Sequence, residues 1–285
     1  MKKITKILLA TDFSEDSYNA YKYALELINE MKVELLVLHV VPSIIEPSGL
    51  TFVEKLSKKS SISDAVIEMR SFIQRGISEM NYTETNFYEK IQTDIEVGDP
   101  VKTIGEIVER NQINLIITGR RGQSNNIFKS LGSISLSLLN DLKTDIFIIP
   151  NKANYKTINK VLFASADYSN DSYYIEKTKE IFQKKDIEFE HVHVAPSKTT
   201  KDIEEQMAQT EFYSNNAVKY TLLTRDDTST NTIVEALITF SKDKALDALV
   251  LLERKKGIFQ KLFTKNTAKE VIKLSENPIL VLKNN

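Results

Sequence analysis

The sequence predicts an α/β fold of two tandem doubly wound domains, each with a mainly parallel five-stranded sheet flanked by helices. Three observations predict it. Short apolar runs rich in Leu, Ile and Val alternate with segments of helical period, the pattern of right-handed βαβ units. The chain has 285 residues, more than the roughly 100 to 200 of a usual single domain. Its first half is also echoed by its second, in order.

The echo is specific. Lys6-Ile7-Leu8-Leu9-Ala10-Thr11 returns as Lys160-Val161-Leu162-Phe163-Ala164-Ser165, and Asp12-Phe13-Ser14 through Tyr18 returns as Asp167-Tyr168-Ser169 through Tyr173, after one extra residue, Ala166. His39-Val40-Val41-Pro42-Ser43 faces His193-Val194-Ala195-Pro196-Ser197, and each copy closes on an apolar run, Ile146 to Ile149 and Ile279 to Leu282. These matches place a first domain at 1–150, a polar linker at 151–157 and a second domain at 158–285.

Taken in order, Lys6 to Ala10 and Glu34 to Val41 are buried strands, since continuous β-branched and Leu runs suit a parallel sheet covered on both faces. Between them Tyr21, Ala24, Leu25 and Ile28 recur at helical spacing, with Asp12 and Glu15, or Ser14, as candidate caps. Ser43 to Ser63 follows as a long connection containing Pro47 and Gly49, read either as a lid or as an excursion before the next helix. Met69, Phe72, Ile73, Ile77 and Met80 mark that helix. Ile91 to Val97 is a strand, Val101, Ile104 and Val108 a helix, Leu115 to Thr118 a strand and Ser133 to Leu142 the last helix. In the second copy Lys201 to Glu211 reads as helical.

Ligands of such sheets sit beyond the carboxyl ends of the strands near a topological switch point. There the sequence has Gly119-Arg120-Arg121-Gly122, nine residues, then Gly132-Ser133 at the start of a helix, so that three of the chain's 8 glycines fall in one stretch. Glycines let backbone N–H groups approach a phosphate, and a helix amino end adds unpaired donors and a favourable dipole. Ser133 is either a helix cap or also a hydroxyl donor to a phosphate oxygen. Arg120 and Arg121 either make charge-assisted contacts or form a solvated loop pair. Neither a Walker loop nor a G-x-G-x-x-G fingerprint occurs.

On these residues the chain resembles the universal stress protein family in its tandem form, with the family's ATP-binding pattern G-x2-G-x9-G-[ST] met at Gly119, Gly122, Gly132 and Ser133. The resemblance implies a bound adenine nucleotide. It places Ala10, Thr11, Asp12 and Val40 at the adenosine end of the pocket and Ile134 and Ser135 beside the phosphate end. It also implies that the closing strands, Asp145 to Ile149 and Pro278 to Leu282, pair antiparallel, as an intramolecular domain pairing, with a homodimer as a further option. Asp12 fits a ribose hydroxyl acceptor or a helix cap, and would hold Mg²⁺ only through water.

The second copy departs from the pattern. Glu253-Arg254-Lys255-Lys256 stands where Gly119 to Gly122 stood, Asn266-Thr267 stands near the place of Gly132-Ser133, and only Gly257 remains. An acidic side chain there disfavours phosphates, so this copy is expected to be a structural or partner-binding lobe.

Lys+Arg 38 against Asp+Glu 39 leaves a net charge of -1, which offers no global field for nucleic acid or an anionic membrane. The absence of cysteine excludes disulfides and thiol chemistry, and without a leader or long apolar run the expected location is cytoplasmic. His191 and His193 share one face of a strand and are read as core histidines rather than metal ligands. The leading function is an ATP-responsive stress or regulatory protein with a protein partner. The alternatives are a slow ATP-hydrolysing or adenylyl-transferring enzyme, and a scaffold with structural nucleotide. With no evident general base in the loop, regulation ranks above catalysis.

Overall fold

In the computed structural model the apolar runs form strands and the helix-period segments form helices. Residues 4–31, 33–43, 52–82, 88–120, 132–153, 155–164, 171–182, 187–196, 218–225, 230–253 and 265–283 are described. The chain divides into two units, one ending at Thr144 and the other beginning at Asp145.

In the first unit β1 (Lys6–Thr11) lies between β2 (Glu34–Pro42) and β4 (Leu115–Gly119), with β3 (Ile91–Gly98) outside β2, all parallel. The helices are α1 (Glu15–Met31), α2 (Phe52–Glu79), α3 (Pro100–Arg110) and α4 (Ser133–Asp141). α1 packs on α2, and α3 on α4. Ile7, Leu8, Leu9, Leu115, Ile116 and Ile117 are wholly buried, as expected of strands covered on both faces. Each such side chain contributes about 1.5 to 3 kcal/mol relative to exposure. Tyr21, Ala24, Leu25 and Ile28 bury the inner face of α1 as their spacing predicted. α3 starts at Pro100 behind the N-cap Asp99, whose carboxylate accepts from the Lys102 N–H at 2.9 Å.

α2 starts earlier than expected, at Phe52, so the connection after β2 is shorter than the sequence suggests. The Ser- and Lys-rich composition of 57–63 disguised the helix. Extending a helix already nucleated downstream costs little even through poor formers. Residues 44–51 of the expected lid lie outside the described residues, and its remainder from Phe52 is helix.

In the second unit the strands are β5 (Asp145–Ile149), β6 (Lys160–Ala164), β7 (Glu188–Pro196), β8 (Val218–Arg225), β9 (Ala248–Glu253) and β10 (Ile279–Lys283). Their order is β5-β10-β9-β6-β7-β8. All neighbours are parallel except β5 and β10, which pair antiparallel through Ile279 with Ile148, Leu280 with Phe147 and Val281 with Ile146. This is the pairing expected of the two closing strands. By its contacts β5 groups with the second unit although the sequence pattern ends the first copy after it. The helices here are α5 (Asp171–Phe182), α6 (Thr230–Asp243) and α7 (Lys265–Leu274). The segment 201–211, expected to be helical, lies outside the described residues.

One device starts both β1 and β6. Asn114, just before β4, accepts the Thr5 N–H at 3.1 Å. Asp247, just before β9, accepts the N–H groups of Asn159 and Lys160 at 2.8 Å each.

Candidate functional site

The carboxyl ends of β2, β1 and β4 meet at one edge of the first sheet. Register sets Thr11 beside His39, and Ala10 beside Thr118, so Gly119 follows at the level of Thr11. The chain leaves β1 toward β2 on one side and reaches β4 on the other. The strand order therefore reverses between β1 and β4, where open α/β sheets place ligands.

Ala10, Thr11 and Val40 are buried along these ends, and Asp12 is half-buried just past β1. A hydrogen-bonded turn connects β1 to α1. Thr11 Oγ1 accepts the Phe13 N–H and donates to Ser17 Oγ, both at 3.0 Å. Asp12 Oδ1 accepts the Ser14 hydroxyl at 2.6 Å and the Ser14 N–H at 3.2 Å. Ser14 Oγ in turn accepts the Ser17 N–H at 3.3 Å. Of the two candidate caps, Ser14 caps α1, while Asp12 holds the cap in place. The Asp12 carboxylate is thus fixed at the strand end, as a hydroxyl acceptor requires.

On the other side of the switch point Gly119 serves packing. A β-carbon there would stand 2.8 Å from the Asp16 carbonyl carbon and 2.9 Å from the Ser17 nitrogen, so the glycine lets the first turn of α1 close over the end of β4. Arg120 is buried, 5% exposed, which does not fit a solvated loop pair. Arg121 and Gly122 lie outside the described residues.

The chain returns at Gly132, whose N–H donates to the Arg120 carbonyl at 2.8 Å and closes the excursion between them. Gly132, not Ser133, is the N-cap of α4, with φ -61 and ψ 145 and no side chain to cap with. Ser133 is the first helical residue, and only its backbone is described. By helix geometry the first-turn N–H groups of Ser133, Ile134 and Ser135 have no intrahelical acceptor, and the dipole places partial positive charge there. Ile134 is exposed, whereas Ser135 is buried with its hydroxyl donating to the Gly119 carbonyl at 2.8 Å. Ser135 therefore ties α4 to the end of β4 through its side chain.

Two neighbours of the turn escaped the sequence reading, Phe13 and His39. The Phe13 ring stacks on His39 at 4.4 Å between centroids, and His39 Nδ1 lies 2.9 Å from the Thr11 carbonyl oxygen. The repeat of His39-Val40 in His193-Val194 was the available signal, but it marked a strand rather than a side-chain role. From α2, Arg75 Nη1 reaches Glu15 at 2.7 Å, and this hydrogen bond holds the Glu15 carboxyl below its usual range.

In the second unit Glu253 ends β9 where Gly119 ends β4, and its carboxylate is paired with the Lys283 ammonium. Residues 254–257 and Asp167 lie outside the described residues. Asn266 and Thr267 sit within the first turn of α7, Thr267 wholly buried. His191 and His193 are buried, 0% and 5% exposed. His191 Nε2 is 3.1 Å from Asp171 Oδ2, between the rings of Phe163 and Tyr220. Among the described residues no cluster of three His, Cys, Asp or Glu could hold a metal, and no helix is long and apolar enough to cross a membrane.

The family model of the universal stress protein family matches residues 3–150. Among solved structures the chain is similar to a universal stress protein from Archaeoglobus fulgidus, at 21% identity over 98% of each chain with a TM-score of 0.70. It is also similar to a functionally unknown protein from Pseudomonas aeruginosa PAO1, at 14% identity over 98% of this chain and 92% of that one with a TM-score of 0.60. At these identities the likeness is one of fold. Comparison with curated proteins gives no match.

Proposed function

We propose, for a chain that belongs to the universal stress protein family, that its first unit holds an adenine nucleotide, ATP in particular, and that occupancy regulates a partner in a stress response. The observation that carries this reading is the joint placement of the Asp12 carboxylate and the amino end of α4 on either side of the β1–β4 switch point.

In this reading Ala10, Thr11 and Val40 line the adenosine end and Asp12 accepts a ribose hydroxyl. The first-turn N–H groups of α4, with the Gly119–Gly122 loop, receive the phosphates. Mg²⁺, where it accompanies the nucleotide, meets Asp12 through water. The groups so arranged favour a bound triphosphate without favouring its transition state, which supports retention over turnover. The second unit has Glu253 and Lys283 paired at the corresponding strand end. We assign it no nucleotide and a structural or partner-binding role.

The test is Gly132→Val. At φ -61 and ψ 145 valine is sterically allowed, and loss of an N-cap glycine costs about 1 kcal/mol, so the fold survives. The branched side chain occupies the approach to the helix end, and ATP binding is expected to fall at least about tenfold. A folded Gly132→Val chain that binds ATP like the parent places the phosphates elsewhere.

A further inference from the structure

We infer that His39 is a positioning residue for this site, holding the Thr11–Asp12–Phe13 turn in the backbone conformation that presents the Asp12 carboxylate. The inference rests on the nucleotide reading of the same site.

Phe13 is a non-glycine residue at φ 61, in the left-handed region that an L side chain with a bulky ring adopts only under constraint. The constraint is visible. Its N–H donates to Thr11 Oγ1 at 3.0 Å, its ring stacks on His39 with 27° between planes, and Phe72 of α2 meets it edge-on at 5.7 Å. His39 makes a second contact with the same turn. A carbonyl oxygen only accepts, so the ring nitrogen 2.9 Å from Thr11 O carries the hydrogen, and His39 is in its Nδ1–H form.

His39 thus contacts the turn on both sides of Asp12, at the backbone carbonyl of the residue before it and the side-chain ring of the residue after it. The parallel register that pairs Thr11 with His39 fixes this, since a one-residue slip would turn the imidazole to the other face. Without these contacts Phe13 relaxes to negative φ. The Asp12–Ser14 turn then rotates, and the carboxylate leaves the switch point, although His39 itself touches no ligand.

The test titrates ATP into the full chain and its variants, with thermal unfolding of each recorded in parallel. His39→Leu, which keeps bulk and loses the donor, is expected to weaken ATP binding roughly tenfold. His39→Asn, whose Nδ2–H stands in for Nδ1–H, recovers most of that loss. Phe13→Ala weakens binding several-fold in the parent and adds little on the His39→Leu background, because both residues act on one turn. Nitrogen NMR of the free protein should show the Nδ1–H tautomer. A folded His39→Leu chain that binds ATP within about twofold of the parent, an Nε2–H tautomer, or affinities that follow melting temperature without rescue by His39→Asn would overturn the inference. If His39→Leu does not fold, Phe13→Ala decides, and unchanged binding there overturns it equally. A parent chain that binds no ATP fails the nucleotide reading, whereas a parent that binds and a His39→Leu chain that matches it fails this inference alone.

Discussion

A β-carbon on Gly119 would stand 2.8 Å from the carbonyl carbon of Asp16. The glycine therefore lets the amino end of α1 lie directly on the last residue of β4, and the backbone it meets has no flexible end to move aside. Gly119→Ala is expected to destabilise the chain by about 1 to 3 kcal/mol through overpacking. Urea unfolding should show a lower midpoint at unchanged slope. Stability equal to the parent's would mean that α1 approaches less closely than the structure has it.

Three helices end in the same way without a glycine. Asn81, Gln112 and Ala245 follow α2, α3 and α6 at φ 56, 54 and 49. The following N–H bonds back to Ile77, Val108 and Ser241, while their own bond to Ser78, Glu109 and Lys242. These are Schellman ends, where left-handed backbone favours glycine. Ala245 has no polar side chain to ease that conformation. Ala245→Gly is expected to raise stability by about 1 kcal/mol, read from the same unfolding curves. A loss of stability would contradict the assigned backbone.

Burial raises the Asp247 carboxyl, but Lys156 Nζ at 2.7 Å and the N–H groups of Asn159 and Lys160 outweigh it, so the carboxyl lies below its usual range. Its folded pKa is depressed relative to the unfolded chain. The stability it contributes is accordingly present above the unfolded value of about 3.9 and lost as pH falls through the folded one. Asp247→Asn, which copies Asn114 of the first unit, should cost about 1 kcal/mol at pH 7. Once the pH falls below the folded pKa the cost should shrink toward zero. An equal cost at pH 7 and below that pKa would show that the charge is not what matters.

Much of the fold was legible because buried parallel strands are written as unbroken apolar runs. Ile7 to Ala10 and Leu115 to Ile117 are instances. The amino half of α2 was not legible, since serines and lysines there carry no period and the helix is continued from residues further on. Neither were the Schellman ends, as Asn81, Gln112 and Ala245 lack the glycine that announces them. Near the switch point, the sequence put Thr11 and Gly119 at strand ends, Asp12 just past β1 and Gly132 at the start of a helix, as the structure has them, and left open whether Asp12 caps α1. Whether Asp12 or Ser14 caps α1, and whether a glycine admits a ligand or a helix, depends on distances that no spacing encodes. His39 was hidden for the same reason, because its partners, Thr11 and Phe13, are adjacent only through the register of β1 and β2.

The most direct test of the account is calorimetric titration of ATP into the full chain. One copy keeps Gly132 at the start of its helix and Asp12 at the end of its first strand. The other ends its fourth strand on Glu253, paired with Lys283. The expected stoichiometry is about one ATP per chain, because the proposed function assigns phosphate binding to the amino end of α4 and none to the second unit. Two equivalent sites, or no binding of any adenine nucleotide, would contradict it.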